Sequence, residues 1–175
     1  GPAEESFPKL IEQLFATNSK AENLDQIKGI VYRNNFESIF TGAAEPLQSL
    51  DDLPIPDFSD YFGQLNESSA GSSVVPILLL ETSRGCWWGA KNQCTFCGLN
   101  GDKVTYQSKS ASRVIKELCY LVDTWGLDLV EVVDNMLDMT YFEEVFPELA
   151  GKQRNLSVFS EAKAHLTREH VRILS

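Results

Sequence analysis

The sequence predicts an α/β fold of about three β/α units, preceded by a small helix and a β-hairpin. Three observations predict it: an apolar run at 74–81, two shorter apolar runs at 127–133 and 156–162, and helical periodicity after each of them. Strands alternating with helices imply a parallel sheet with right-handed crossovers, either open or part of a barrel. Three units do not close a barrel by themselves.

In chain order, Phe7, Leu10, Ile11, Leu14 and Phe15 fall at helical spacing within residues 4–17, with acidic residues in the expected first turn. Residues 29–40 read as a hairpin around Asn34-Asn35, a pair that tolerates the positive φ of a tight turn. Between 43 and 73, Pro46, Pro54, Pro56, Asp51-Asp52 and a run of Ser, Ala and Gly at 68–73 have the composition of a linker. The expected organisation is therefore 1–42, a linker over 43–73, and 74–175.

The run Val74-Val75-Pro76-Ile77-Leu78-Leu79-Leu80 reads as a strand buried on both faces, followed by a cysteine-bearing loop over 82–108. Val114, Ile115, Leu118, Cys119, Leu121, Val122 and Trp125 share one face of a helix over 110–125 that Gly126 is placed to end. A second strand over 127–133 closes on Asp134-Asn135, and Thr140 with Glu143 forms a capping-box pattern opening a helix over 141–150. The third strand spans 156–162, and Thr167 can cap a helix that begins at Arg168.

Composition narrows the function. The 175 residues are 43% hydrophobic and 23% charged, as in ordinary globular proteins. No apolar run is long enough for a membrane span and no signal-peptide pattern opens the chain, so a cytoplasmic protein is expected. A formal net charge of −10 argues against a general nucleic-acid surface. Gly1-Pro2 reads either as a protease scar or as native sequence, and the ending inside an expected helix reads as that of a fragment of a longer enzyme.

Three of the four cysteines lie on one loop with the spacing Cys86-x7-Cys94-x2-Cys97, directly after the first strand of the α/β region. The carboxyl ends of strands are where β/α folds place their chemistry. Gly85, Gly89, Gly98 and Gly101 let backbone fold closely around a bulky ligand. Soft thiolates suit iron–sulfur clusters, and three thiolates on a four-iron cubane leave one iron open, as chelation by the methionine end of S-adenosylmethionine requires. A structural zinc site is the plainer alternative, with Cys119, His165 or His170 as its fourth ligand. A disulfide is disfavoured without a secretory signal, and Cys119 reads as a small core residue.

At this loop the chain resembles the cobalamin-dependent radical S-adenosylmethionine (SAM) enzymes, and among them those that mature ribosomally made peptides. The resemblance rests on Ser83-Arg84-Gly85-Cys86, on the stretch Cys94 to Gly101 reading CTFCGLNG, and on Val132-Val133-Asp134-Asn135. LPIPDFSDYF at 53–62 is similar to the segment joining the family's cobalamin domain to its barrel, and residues 1–42 look like that domain's tail. The seven-residue gap departs from the superfamily's usual three and points towards this subgroup.

The resemblance implies the N-terminal half of a radical SAM partial (β/α) barrel. It implies a [4Fe-4S] cluster on Cys86, Cys94 and Cys97, and adenine packed on Phe96. Asp134 and Asn135 are implied near the SAM aminocarboxylate, and Glu161 and Lys163 near the ribose and sulfonium. A strand-end turn is the alternative for Asp134-Asn135, and an ion pair for Glu161 and Lys163. Trp87 and Trp88 either shield the cluster or pack the loop.

The implied parent is a methyltransferase that cleaves SAM reductively, takes a hydrogen from an unactivated carbon of a precursor peptide, and methylates that carbon from methylcobalamin. Flavodoxin or ferredoxin would be its electron donor. The cobalamin domain would precede this chain and more barrel follow it, so the chain alone is expected neither to bind cobalamin nor to turn over. Peptide epimerisation or another radical rearrangement is the enzymatic alternative. A zinc-stabilised, non-catalytic binding module is the alternative from another class.

Overall fold

The computed structural model describes residues 3–18, 22–44, 47–98, 105–152 and 154–174. Leu99, Asn100 and Gly101 of the cysteine motif, together with Gly1-Pro2 and Pro46, lie outside the described residues. The chain divides into two units, residues 1–48 and 49–175.

In the first unit, helix α1 (Ser6–Ala16) is followed by a 3-10 turn at Leu24–Gln26 and by strands β1 (Val31–Asn34) and β2 (Glu37–Phe40), paired antiparallel with Asn34 opposite Glu37. That register puts Asn35-Phe36 in the two-residue turn, one position later than Asn34-Asn35, with Asn35 at φ 55°. Glu4 and Glu5 stand just ahead of the first helical turn. Leu24 and Ile27 are buried, and the buried Ser6 hydroxyl donates to the Lys28 carbonyl at 2.7 Å. Phe7 and Phe15, which share the helical spacing of Leu10, Ile11 and Leu14, are exposed.

The second unit is built on a three-stranded parallel sheet in the order β3-β6-β7, with β3 at Leu78–Leu80, β6 at Leu129–Val132 and β7 at Ser157–Phe159. Leu78 faces Val130 and Leu80 faces Val132 across the first pair. Helix α3 (Ala111–Trp125) supplies Leu118 and Leu121 to one core with these four side chains. It starts at Ser110, whose hydroxyl accepts from the Arg113 amide, and stops at Gly126 with φ 64°, where a left-handed residue is needed. No closed barrel forms from these strands.

Residues 49–73, inside the expected linker, hold a 3-10 turn at Leu50–Asp52 and helix α2 (Ser59–Glu67). They fold because they carry apolar anchors: Leu50 is buried, and Ile55, Phe58 and Phe62 pack on the α3 core, where Phe62 stacks on Trp125.

The expectation that β3 is covered on both faces is not met. Leu78 and Leu80 are buried, whereas Ile77 and Leu79 are exposed and face away from α3. That uncovered side of the sheet carries an open groove of about 530 Å³ between Ile77, Leu129, Glu131 and Phe159.

The helix expected over 141–150 is two helices, α4 (Tyr141–Glu144) and α5 (Phe146–Gly151). Pro147, in the first turn of α5, lacks the amide a continuous helix needs. The capping box at Thr140 does not form, because its hydroxyl instead donates to Asp138 Oδ1 at 2.8 Å. Tyr141, Phe142, Val145, Val114, Ile115 and Leu137 make a second core, with Cys119 packed at its edge. Helix α6 (Arg168–Ile173) opens as expected on Thr167, whose hydroxyl accepts from the His170 amide.

Candidate functional site

The cysteine loop leaves the carboxyl end of β3 through a stem that sequence patterning did not disclose. Strands β4 (Ser83–Gly85) and β5 (Tyr106–Ser108) pair antiparallel, Ser83 opposite Ser108 and Gly85 opposite Tyr106. They are three residues each, too short for periodicity to register. Gly85 takes φ 81°, and a Cβ there would overlap the Thr105 carbonyl oxygen. At Gly85 the close neighbour is thus backbone of the stem itself, and at Gly98 no atom of the described residues lies within 4 Å of where a Cβ would be.

Buried polar groups tie this stem to the elements around it. Asp134, at the end of β6 and only 4% exposed, accepts from the Thr82 amide at 2.8 Å through Oδ1. Its Oδ2 accepts from the Ser83 hydroxyl at 2.9 Å and from the Thr82 hydroxyl. Burial pushes the Asp134 carboxyl above the usual carboxylate range, and the Thr82 and Ser83 donors offset part of that rise.

Four residues on, Asp138 accepts from the Tyr106 hydroxyl at 2.7 Å and from the Thr140 amide at 2.9 Å. Burial alone would raise Asp138, but those donors outweigh it and hold the carboxyl below its ordinary value. Burial, with the Asp138 carboxylate next, pushes the Tyr106 phenol up.

The exit of the stem is fixed as firmly. The Lys109 amide donates to the Thr82 carbonyl at 2.8 Å, and the Tyr141 hydroxyl lies 3.1 Å from the Thr82 carbonyl and 2.9 Å from that of Lys109. The Lys109 ammonium pairs at 2.9 Å with Glu117 of α3, which is 0% exposed and also receives Arg113 at 3.0 Å. A buried carboxylate shared by two cations is held by geometry, because each charge left alone there would be costly.

Beyond the stem the loop is looser. Cys86, Cys94 and Cys97 are free and half-buried, and Phe96 is 90% exposed. The Ala90 amide donates to the Cys86 carbonyl, the Cys97 amide to the Cys94 carbonyl, and the Gly89 amide reaches Cys86 Sγ at 3.3 Å. Trp87 donates through Nε1 to the Leu137 carbonyl at 3.0 Å and packs near His165. The Lys163 ammonium sits 3.5 Å over the Trp88 ring. The tryptophans thus pack the loop against residues following β6 and β7.

The predicted site residues are accordingly divided. Asn135 and Glu161 are exposed, at the ends of β6 and β7. Lys163 engages Trp88, and among the described residues it makes no ion pair with Glu161. Asp134 turns inward to Thr82 and Ser83. The three sulfurs are not gathered: among the described residues no group of three His, Cys, Asp or Glu side chains stands close enough to hold a metal ion. In donor chemistry the loop does fit an iron–sulfur cluster, with three unpaired, partly accessible thiols and an amide already directed at one sulfur. Tyr106 and Asp138, which meet across 32 positions, and the Lys109–Glu117 pair, eight apart, went unread, since nothing in the sequence marks which polar residues are buried together.

No helix among the described residues is long and apolar enough to cross a membrane. No family model matches the chain. It is 27% identical over 161 residues to the uncharacterized methyltransferase PH0819 of Pyrococcus horikoshii, covering 90% of this chain and 32% of that protein. Its fold is similar to that of the apo form of the cobalamin-dependent S-adenosylmethionine radical enzyme OxsB, with a TM-score of 0.67 at 20% identity over 98% of this chain and 24% of OxsB. The chain thus has a mixed α/β fold like that of a segment of a cobalamin-dependent radical SAM enzyme, and spans about a third or less of the proteins it resembles.

Proposed function

We propose that the chain is the cluster-bearing segment of a radical SAM methyltransferase, in which Cys86, Cys94 and Cys97 hold a [4Fe-4S] cluster. The observation that carries this reading is a loop with three free thiols, suspended from the carboxyl end of a parallel strand by a braced stem. The likeness in fold to OxsB and the distant relation to a methyltransferase support it.

When bound, the absent groups supply one-electron reductive cleavage of SAM to methionine and a 5′-deoxyadenosyl radical, hydrogen abstraction from an unactivated carbon, and methyl delivery from cobalamin. The chain's own residues bind and orient. Cys86, Cys94 and Cys97 would hold the cluster through their three thiolates. Phe96, exposed between two of the ligands, offers its ring to the adenine. Asn135 and Glu161 offer polar groups where β6 and β7 end, and Trp87 and Trp88 limit water at the base of the loop. The wider reading of the parent takes a ribosomally made peptide as substrate, a flavodoxin or ferredoxin as electron donor, and a reducing cytoplasmic compartment. It rests on the likeness of the cysteine motif.

Two measurements test it. Cys94→Ala should abolish the visible absorbance that anaerobic reconstitution gives the unsubstituted protein, and a full cluster in that variant defeats the assignment. With the full-length parent enzyme and methyl-labelled SAM, label should enter the peptide product; a modified but unlabelled peptide would replace methyl transfer by epimerisation or rearrangement.

A further inference from the structure

One short segment after β6 grips the cysteine loop at three points. Asp134 accepts from Thr82 and Ser83 at the entry to the stem, and Asp138 accepts from Tyr106 at its exit. Between them, the Leu137 carbonyl receives Trp87, next to the first cysteine. Both carboxylates are turned away from solvent, with partners on the stem and, for Asp138, also in its own turn.

We propose that Asp134 and Asp138, acting with Tyr106, are positioning residues that clamp both strands of the stem and so set the separation at which Cys86 and the Cys94–Cys97 pair are presented to the cluster. The inference rests on the reading of this loop as the cluster site, and it moves Asp134 from SAM contact to loop clamp. The physical ground is that Cys86 directly follows β4, whereas Cys94 and Cys97 are joined to β5 by the return of the loop. The spacing of the two stem strands is therefore, with the Trp87 anchor on Leu137, a boundary condition on where the three sulfurs can meet. A carboxylate that accepts from two or three donors holds such a boundary better than a neutral group, because hydrogen bonds to a charged acceptor are the stronger ones.

The test uses Tyr106→Phe, which removes the hydroxyl that donates to Asp138, and Asp138→Asn, which replaces that charged acceptor by a neutral one, together with Asp134→Asn. In metal-free protein, hydrogen exchange at the β4 and β5 amides should quicken while that of the α3 amides stays unchanged. After anaerobic reconstitution, a chelator should strip the cluster roughly threefold to tenfold faster from Tyr106→Phe and Asp138→Asn than from the unsubstituted protein, the range that one lost hydrogen bond implies. Asp134→Asn should do the same and leave the SAM concentration that half-saturates the change in the cluster's EPR spectrum unaltered.

Unchanged cluster loss in Tyr106→Phe and Asp138→Asn overturns the proposal, whether or not the stem amides exchange faster. A weakened SAM titration in Asp134→Asn with normal cluster retention overturns it for that residue and returns Asp134 to SAM contact. If the unsubstituted protein takes up no iron, the cluster reading itself has failed, and this inference falls with it. That result appears without any substitution, so the two failures are told apart.

Discussion

At its stem the cysteine loop is held by buried carboxylates, a phenol and an ion-paired lysine, whereas at its tip Phe96 is exposed and the three thiols are half-buried and unpaired. The stem's bonds to Asp134 and Asp138 reach across 32 to 52 positions of sequence; the tip's backbone bonds close turns of three or four residues. The difference teaches where the fold spends its stabilising interactions. The stem that frames the loop is braced by bonds among the described residues, whereas the three sulfurs at the tip are not gathered there.

Substitutions in the frame should therefore cost stability, and substitutions at the tip should cost almost none. The largest effect is expected at Glu117→Ala. It leaves the buried Lys109 and the partly buried Arg113 without their shared carboxylate, and breaking a buried pair costs about 3–5 kcal/mol. Urea unfolding of the metal-free protein would read that loss, and a change near zero would mean that the pair is solvated. Gly85→Ala comes next. A left-handed non-glycine residue costs roughly 1–3 kcal/mol, and overlap with the Thr105 carbonyl adds to that. Unfolding that matches the unsubstituted protein would refute the geometry of the β4–β5 crossing.

A smaller effect separates the two carboxylates. The folded value of Asp138 lies below its ordinary value of about 3.8, so its contribution is fully present above that value and is lost as pH falls through the folded one. Asp134 is raised, so its sign is opposite: ionisation in the folded state is disfavoured, and stability falls as pH rises from about 3.8 through the higher folded value. Asp138→Asn should flatten the acid limb of the stability profile, and Asp134→Asn should remove a loss on its other side. Equal profiles for the two variants would contradict this assignment of causes. Smallest of all is Phe96→Ala, expected within about 0.5 kcal/mol of the unsubstituted protein because the ring buries little on folding. Its effect belongs to the SAM titration, where affinity should fall.

The same contrast governs what the sequence made legible. The tip offers the sequence a pattern to read because its candidate ligands are distinctive residue types at close spacing, Cys86, Cys94 and Cys97 with Phe96 between the last two. Helix α3 was readable because its periodicity, its serine start and its glycine stop agree. The stem was not, since three-residue strands carry no usable pattern and Asp134 and Asp138 look like any polar residues after a strand. The family resemblance implied Asp134 near the SAM aminocarboxylate; in the structure its carboxylate accepts from Thr82 and Ser83, a pairing that no local pattern marks. The exposed side of β3 was misread for a related cause. An apolar run reports that a strand suits burial, not whether both faces find a partner within the chain.

The account turns on whether the three sulfurs of this braced loop receive a cluster. Oxygen-free reconstitution of the unsubstituted protein, followed by iron, sulfide and zinc analysis, tests it most directly. The account predicts about four irons and four sulfides per chain, with a spectrum that changes on adding SAM. One equivalent of zinc with neither iron nor sulfide would contradict it.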